Sequence, residues 1–363
     1  ARSYGAKGIG LCRTERMFNA RDRLGVFVEM IMARTIQQRK IILEKLLVLQ
    51  KSDFKEILQA MEGYHVTIRL LDPPLHEFLP NIEELINRMH RFEKQNVPEE
   101  MESTKKILDR ARELAEINPM MGHRGVRIGI TFPEIYEMQI RAICEAAGEL
   151  SKDKVDARAQ IMVPQVSSIS ELNQIKQIYD NIKSSAESKL GIKLKINFGT
   201  MLEVVRSCLT ADELAKTAEF FSFGTNDLTQ AVFSFSREDA EGKFLTEYLD
   251  KELLAVNPFQ SVDVNGVGSL MEIAISKGRK LRPKMEIGIC GEHGGDPNSI
   301  RFFHKAGLSY VSASSHRIPI AIIAAAQAAL AEKSKKTNVK PKKKTKTRRK
   351  KKTRTKHKKK SRR

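Results

Sequence analysis

Arg13 and Arg69 each stand at the end of a short apolar run, where a strand end would aim a side chain into the space the strands enclose. Guanidinium forks take carboxylate and phosphate oxygens bidentately, so two or three together suit a small substrate bearing both groups. Arg124, beside another apolar run, is the third candidate. Glu203 and Asp227 follow two further runs. Two carboxylates with room for water match Mg²⁺, which prefers six oxygens and keeps part of its hydration. No His pair or Cys cluster accompanies them, which argues against zinc. Cys290 lies in Gly288-Ile289-Cys290-Gly291-Glu292-His293, where flanking glycines permit close backbone approach. There Glu292 and His293 are placed to orient the thiol or shift its ionisation.

Each of these residues also has a plainer reading. An arginine can be the partner of a nearby acid such as Glu15 or Asp72, and Asp227 can cap a helix starting at Leu228. A free Cys at a strand end is usually a small buried filler. His123 and His293 read as hydrogen-bonded supporting residues. Convergence favours the chemical reading: such side chains follow nearly every apolar run, including Cys12-Arg13-Thr14-Glu15, Gly224-Thr225-Asn226-Asp227 and the Ser314, Ser315, Arg317 segment.

The elements that must position them are eight β-rich runs, at residues 8–11, 66–70, 126–130, 160–163, 195–199, 220–223, 286–289 and 310–312. Helical spacing lies between, for example at 132–150, 169–188, 212–218 and 319–332. This alternation predicts an α/β fold, a (β/α)8 barrel with helical insertions at 22–62 and 81–117 after the first two strands. Barrels of this kind collect their active sites at the C-terminal ends of the strands, where the candidates stand. A doubly wound open sheet is the alternative, but no Gly-rich dinucleotide turn supports it.

The chain carries a formal charge of +20, all of it at one end. After Glu332 come 20 Lys or Arg and no acid, which leaves 44 basic against 44 acidic side chains in residues 1–332. The expected organisation is one barrel domain, 1–332, and a disordered basic tail, 333–363. Lacking aromatics for stacking, the tail offers nucleic acid only non-specific, salt-sensitive contact, and reads best as a bland extension. Four widely spaced cysteines fit no zinc or disulfide framework and point to a reducing cytosol. No apolar run is long enough to cross a membrane as a helix, and no P-loop is present for ATP. Beginning at Ala1 rather than Met, the chain is expected to be a fragment of a longer protein.

Gly8-Ile9-Gly10-Leu11-Cys12-Arg13-Thr14-Glu15 resembles the opening barrel motif of the phosphoenolpyruvate-utilising enzymes. Three further stretches are similar to the pyruvate, phosphate dikinases rather than to phosphoenolpyruvate synthase or enzyme I of the sugar phosphotransferase system. They are Leu71-Asp72-Pro73-Pro74-Leu75-His76-Glu77-Phe78, Asn118-Pro119-Met120-Met121-Gly122-His123-Arg124-Gly125 and residues 290–296. The resemblance implies one half of a two-site reaction, in which a phosphohistidine domain shuttles between an ATP-grasp domain and this barrel. It further implies that Arg13 and Arg69 hold the phosphoryl group, Glu203 and Asp227 hold Mg²⁺, and Gly224, Thr225 and Asn226 contact pyruvate or phosphoenolpyruvate. Cys290 would move the proton at the methyl carbon, and the barrel would form a homodimer.

Three departures from the family pattern are Arg16 in place of His, Val204-Val205-Arg206 in place of Ile-Pro-Arg, and Ser315-His316-Arg317 in place of Pro-Phe-Arg. None removes a named ligand. The rival readings are a non-catalytic barrel kept for dimerisation or regulation, and a polyanion binder driven by the tail.

Overall fold

The computed structural model describes residues 1–18 and 20–338. Seven strands, β1 (Ile9–Arg13), β2 (His65–Arg69), β3 (Arg158–Val163), β4 (Ile196–Leu202), β5 (Phe220–Phe223), β6 (Glu286–Ile289) and β7 (Tyr310–Val311), form one sheet in sequence order. Every neighbouring pair is parallel. The sheet curls into a nearly closed barrel. At the seam Gly10 of β1 runs so close to β7 that a Cβ there would lie 2.7 Å from the Ser312 Cβ and 2.8 Å from the Tyr310 ring.

The eighth expected strand, 126–130, is instead the helix Val126–Thr131. Strands β2 and β3 pair directly through five consecutive registers, from His65↔Arg158 to Arg69↔Met162, so no slot remains between them. Tertiary packing here overrides a β-prone run. Val126, Ile128 and Gly129 are buried, and Gly129 packs flat on the Tyr136 ring. The insertions came out as expected in type, with helices Arg21–Met32 and Ile36–Ala60 after β1 and Ile82–Gln95 and Pro98–Leu114 after β2. The last helix, Ile318–Asn338, carries six residues beyond the expected start of the tail. Residues 339–363, where the rest of that tail was expected, lie outside the described residues.

Period-2 alternation splits the apolar residues into two cores. Val66, Ile68, Ile161, Phe221 and Ile287 face the surrounding helices. Met162, Met201, Phe220 and Cys290, with Leu11 against them, form a separate cluster inside the barrel. Cys290 is thus the polarisable rim of an apolar plug, and the charged strand ends sit around it.

Candidate functional site

β1 delivers Arg13 and Glu15 to the C-terminal mouth, β2 delivers Arg69 and Asp72, β4 Glu203, β5 Gly224 to Asp227, and β6 Cys290. Parallel strands of one barrel end on the same side, so five stretches of chain distant in sequence converge for a topological reason. Arg124 joins them from the turn before the helix Val126–Thr131, the segment mistaken for a strand.

The arginines divide into two kinds. Arg69 is buried and bonds Glu15 (Nη2–Oε1 2.5 Å) and Asp72 (Nη1–Oδ2 2.9 Å). Arg124 holds the same Asp72 through Nη2 (2.5 Å) and Nε (3.3 Å), and its Nη1 lies 3.5 Å from Asp227. Glu15, Arg69, Asp72, Arg124 and Asp227 therefore alternate in sign along one chain of contacts. Burial pushes the Asp72 carboxyl up, but the flanking Arg69 and Arg124 charges outweigh it and hold the group below the usual carboxylate range. The plainer reading thus applies to two of the three arginines, which are paired with acids. Arg13 differs: its half-buried guanidinium makes no hydrogen bond or ion pair among the described residues.

Glu203 is almost fully buried. Its Oε1 accepts a 2.7 Å bond from the Gln165 backbone N–H, while Oε2 is buried with no partner. Burial, with Asp227 and Asp72 nearby, pushes its pKa well above the usual range despite Arg69. A carboxylate oxygen left bare in a dry mouth beside a second carboxylate fits a hard cation, which would supply the missing charge. Gly224 passes so close that a Cβ there would lie 2.6 Å from this oxygen, so any side chain at 224 would crowd it. Asp227 sits in the first turn of the helix Thr225–Phe233, whose cap position is Gly224, and makes no capping bond of its own. No group of three or more His, Cys, Asp or Glu converges in metal-ligand fashion among the described residues. The Glu203–Asp227 pair is therefore the candidate, and its all-oxygen character suits Mg²⁺.

Cys290 lies against β5, its backbone N–H donating to the Phe223 carbonyl (3.0 Å) and its Sγ 3.6 Å from the same oxygen. Burial pushes the thiol up to about 11, the Ser222 hydroxyl working the other way and Glu203 reinforcing the rise. At neutral pH it is a protonated acid, not a thiolate. Glu292 and His293 do not set this value, contrary to expectation. Glu292 pairs with Arg237 (2.8 Å) and its N–H is held by Asn226 Oδ1 (3.0 Å). His293 is buried between the Thr225 hydroxyl (2.7 Å) and the Pro258 carbonyl (2.8 Å), and burial lowers its pKa. Both residues brace the loop that carries the thiol. The structure commits the Thr225 hydroxyl to His293 and the Asn226 carbonyl to Glu292, which leaves the Asn226 amide N–H groups as their free polar handle. His123 is tied to Thr131 (2.6 Å) at the edge of the site.

Sequence reasoning passed over two contributors. Asp72 was weighed only as a bland partner, yet it is the shared acceptor for two arginines. Gln165 went unnoticed because it stands one residue past Pro164, beyond the end of a strand; a polar residue in that place, on the one strand otherwise lacking a candidate, was the available signal. No helix among the described residues is long and apolar enough to cross a membrane.

A family model described as the phosphoenolpyruvate-binding domain of phosphoenolpyruvate-utilising enzymes matches residues 1–330. Pyruvate, phosphate dikinase of Entamoeba histolytica is 52% identical over 329 residues, which cover 90% of this chain and 37% of that protein. The chloroplastic pyruvate, phosphate dikinase of Mesembryanthemum crystallinum is 50% identical over 330 residues, 90% of this chain and 34% of its own length. That of Clostridium symbiosum is 47% identical over 331 residues, 91% of this chain and 37% of its own. The chain thus spans little more than a third of the length of these relatives. Matched along the whole barrel and sharing about half of its residues with such relatives, the chain belongs to the phosphoenolpyruvate-utilising enzymes, and residues 1–330 are their phosphoenolpyruvate-binding domain.

Proposed function

We propose that this barrel interconverts pyruvate and phosphoenolpyruvate, as part of a pyruvate, phosphate dikinase whose phosphoryl group arrives on a phosphohistidine carried by another region of the full-length protein. One observation carries the reading: a single mouth combines an unpaired arginine (Arg13), a carboxylate with a bare buried oxygen (Glu203, beside Asp227) and a neutral thiol (Cys290). Those are the groups needed for an anionic phosphoryl, a hydrated cation and a proton at carbon.

Glu203 and Asp227 would hold Mg²⁺, which when bound supplies Lewis-acid charge for the substrate's carboxylate and enolate oxygens. Arg13 meets the phosphoryl oxygens, with Arg69 behind it held in place by Glu15 and Asp72. Asn226 and the backbone at Gly224 and Thr225 line the substrate's side of the pocket. When phosphoenolpyruvate gives up its phosphoryl group, the Cys290 thiol donates its proton to C3 of the enolate and becomes a thiolate. In the opposite direction the thiolate takes a methyl proton of pyruvate, and the enolate oxygen then attacks the phosphorus of the phosphohistidine, forming the O–P bond as the P–N bond breaks and the histidine leaves. Because the resting thiol is protonated, methyl-proton removal should accelerate with rising pH below about 11. The homodimer is supported by the exposed Ile320, Ile322, Ile323 and Leu330 of the last helix, and a reducing, cytosolic setting by the four free cysteines.

The test is Mg²⁺-dependent exchange of pyruvate methyl protons with solvent. Cys290→Ala is expected to slow it by about 10²–10⁴-fold, the usual worth of a positioned acid–base group. Exchange that survives the substitution would remove the thiol from the reaction.

A further inference from the structure

Gln165 holds a conformation that its residue type resists. Of the five non-glycine residues with left-handed φ among the described residues, it alone is buried; its φ is 58°. Asn96 and Ser234, two of the others, are helix C-caps, a usual place for that conformation. Gln165 begins no helix and ends none. It directly follows the strand β3 and Pro164, and it presses on Gly125, itself at φ 59°. A Cβ on Gly125 would lie 2.7 Å from the Gln165 Cβ and 3.1 Å from the Pro164 carbonyl, so the two left-handed residues are wedged together. Hydrogen bonds seal the wedge on both sides. The Gly125 N–H donates to the Asp72 carbonyl (2.8 Å) and the Val126 N–H to the Pro164 carbonyl (3.1 Å). The Gln165 N–H itself donates to Glu203 Oε1 (2.7 Å). With the chain anchored on both sides, a turn to the ordinary negative φ would require a compensating flip of the Pro164–Gln165 peptide. That flip would carry this N–H away from Glu203 and break the Val126 N–H bond to the Pro164 carbonyl.

We propose that Gln165 is a positioning residue for Glu203: its left-handed backbone, wedged against Gly125, aims the N–H at Oε1 and so leaves Oε2 facing the mouth as the cation ligand. The strain is maintained because the surrounding bonds over-determine it, the usual condition for such a conformation at a working site. The inference deepens the metal reading and rests on it.

Mn²⁺ binding to the 363-residue chain, read by electron paramagnetic resonance, tests it without turnover. Substitutions at 165 all keep the N–H and differ in how well they accept positive φ. Glycine and asparagine accept it, alanine less well, and the β-branched valine least. Gln165→Gly and Gln165→Asn should stay within about threefold of wild type, Gln165→Ala should fall between, and Gln165→Val should weaken Mn²⁺ by about tenfold or more, as for other residues that orient a ligand. Any other rank order overturns the proposal, including equal losses across the series, which would credit the glutamine side chain instead. The graded series keeps the test decisive if the valine variant folds poorly. Glu203→Gln is the control: if it leaves Mn²⁺ affinity intact, the metal reading fails, whereas loss in Glu203→Gln with no rank order at 165 sinks only the role of Gln165.

Discussion

In the network around Asp72 every charge has an opposite neighbour, whereas at Glu203 and Arg13 charge is left open. Glu15, Arg69, Asp72 and Arg124 alternate through contacts of 2.5–2.9 Å, and the desolvation of each is offset as the chain folds. By contrast, among the described residues Glu203 Oε2 has no hydrogen-bond partner, Arg13, the register neighbour of Arg69, makes no ion pair, and Cys290 is held neutral by burial. The first region is therefore a charge-matched scaffold that fixes positions, although Glu15 Oε2 and Arg69 Nε are also buried without a hydrogen-bond partner. The second is complete only when a cation and an anionic substrate supply what is missing, so binding there relieves a cost that folding left in place.

Removing the hub of the finished side should have the largest effect on folding. Asp72→Ala strips the shared acceptor from two buried arginines and is expected to destabilise the chain by about 3–5 kcal/mol, measured by urea denaturation. A loss below about 1 kcal/mol would mean that water already screens this network, and the contrast would dissolve.

The open side should respond in the opposite sense. Because the folded pKa of Glu203 lies above its ordinary 4.5, the group's stabilising contribution is present below that pH and is lost as pH rises through the raised value. Asp72, with a folded pKa below its ordinary 3.8, contributes above that pH and loses the contribution as pH falls. Without metal, Glu203→Gln should therefore gain about 1–3 kcal/mol at neutral pH, the scale of a buried group left unsatisfied. It should also flatten the decline with pH and abolish thermal stabilisation by Mg²⁺. Destabilisation by Glu203→Gln in metal-free buffer would place this carboxylate with the finished scaffold.

The smallest effect belongs to the basic segment. Deleting residues 339–363 should leave pyruvate proton exchange unchanged while removing retention on nucleic acid at low salt. A drop in exchange would bring the basic segment into the barrel's chemistry.

The strands at 220–223 and 286–289 were legible to the residue, because both are short apolar runs bounded by turn residues. The segment at 126–130 was not, although its residues are as β-prone as those of true strands. What excluded it was the direct β2–β3 ladder, a relation between residues more than ninety positions apart, such as His65 and Arg158. The site shows the same division. Arg13, Glu203, Asp227 and Cys290 were readable from residue type and place at strand ends. Of the two duties expected of Glu292 and His293, bracing the Cys290 loop fits and shifting the thiol does not, because their side chains turn toward Arg237 and Pro258, a relation that adjacency in sequence does not show.

By itself, then, the sequence determined which residue types would stand at the mouth, since alternation and strand ends are local properties of the chain. Only the tertiary structure decided which of those groups are spent and which are open. Asp72 meets Arg124, and Gln165 meets Glu203, across gaps of 52 and 38 residues, and electrostatic pairing depends on distances that no local pattern encodes.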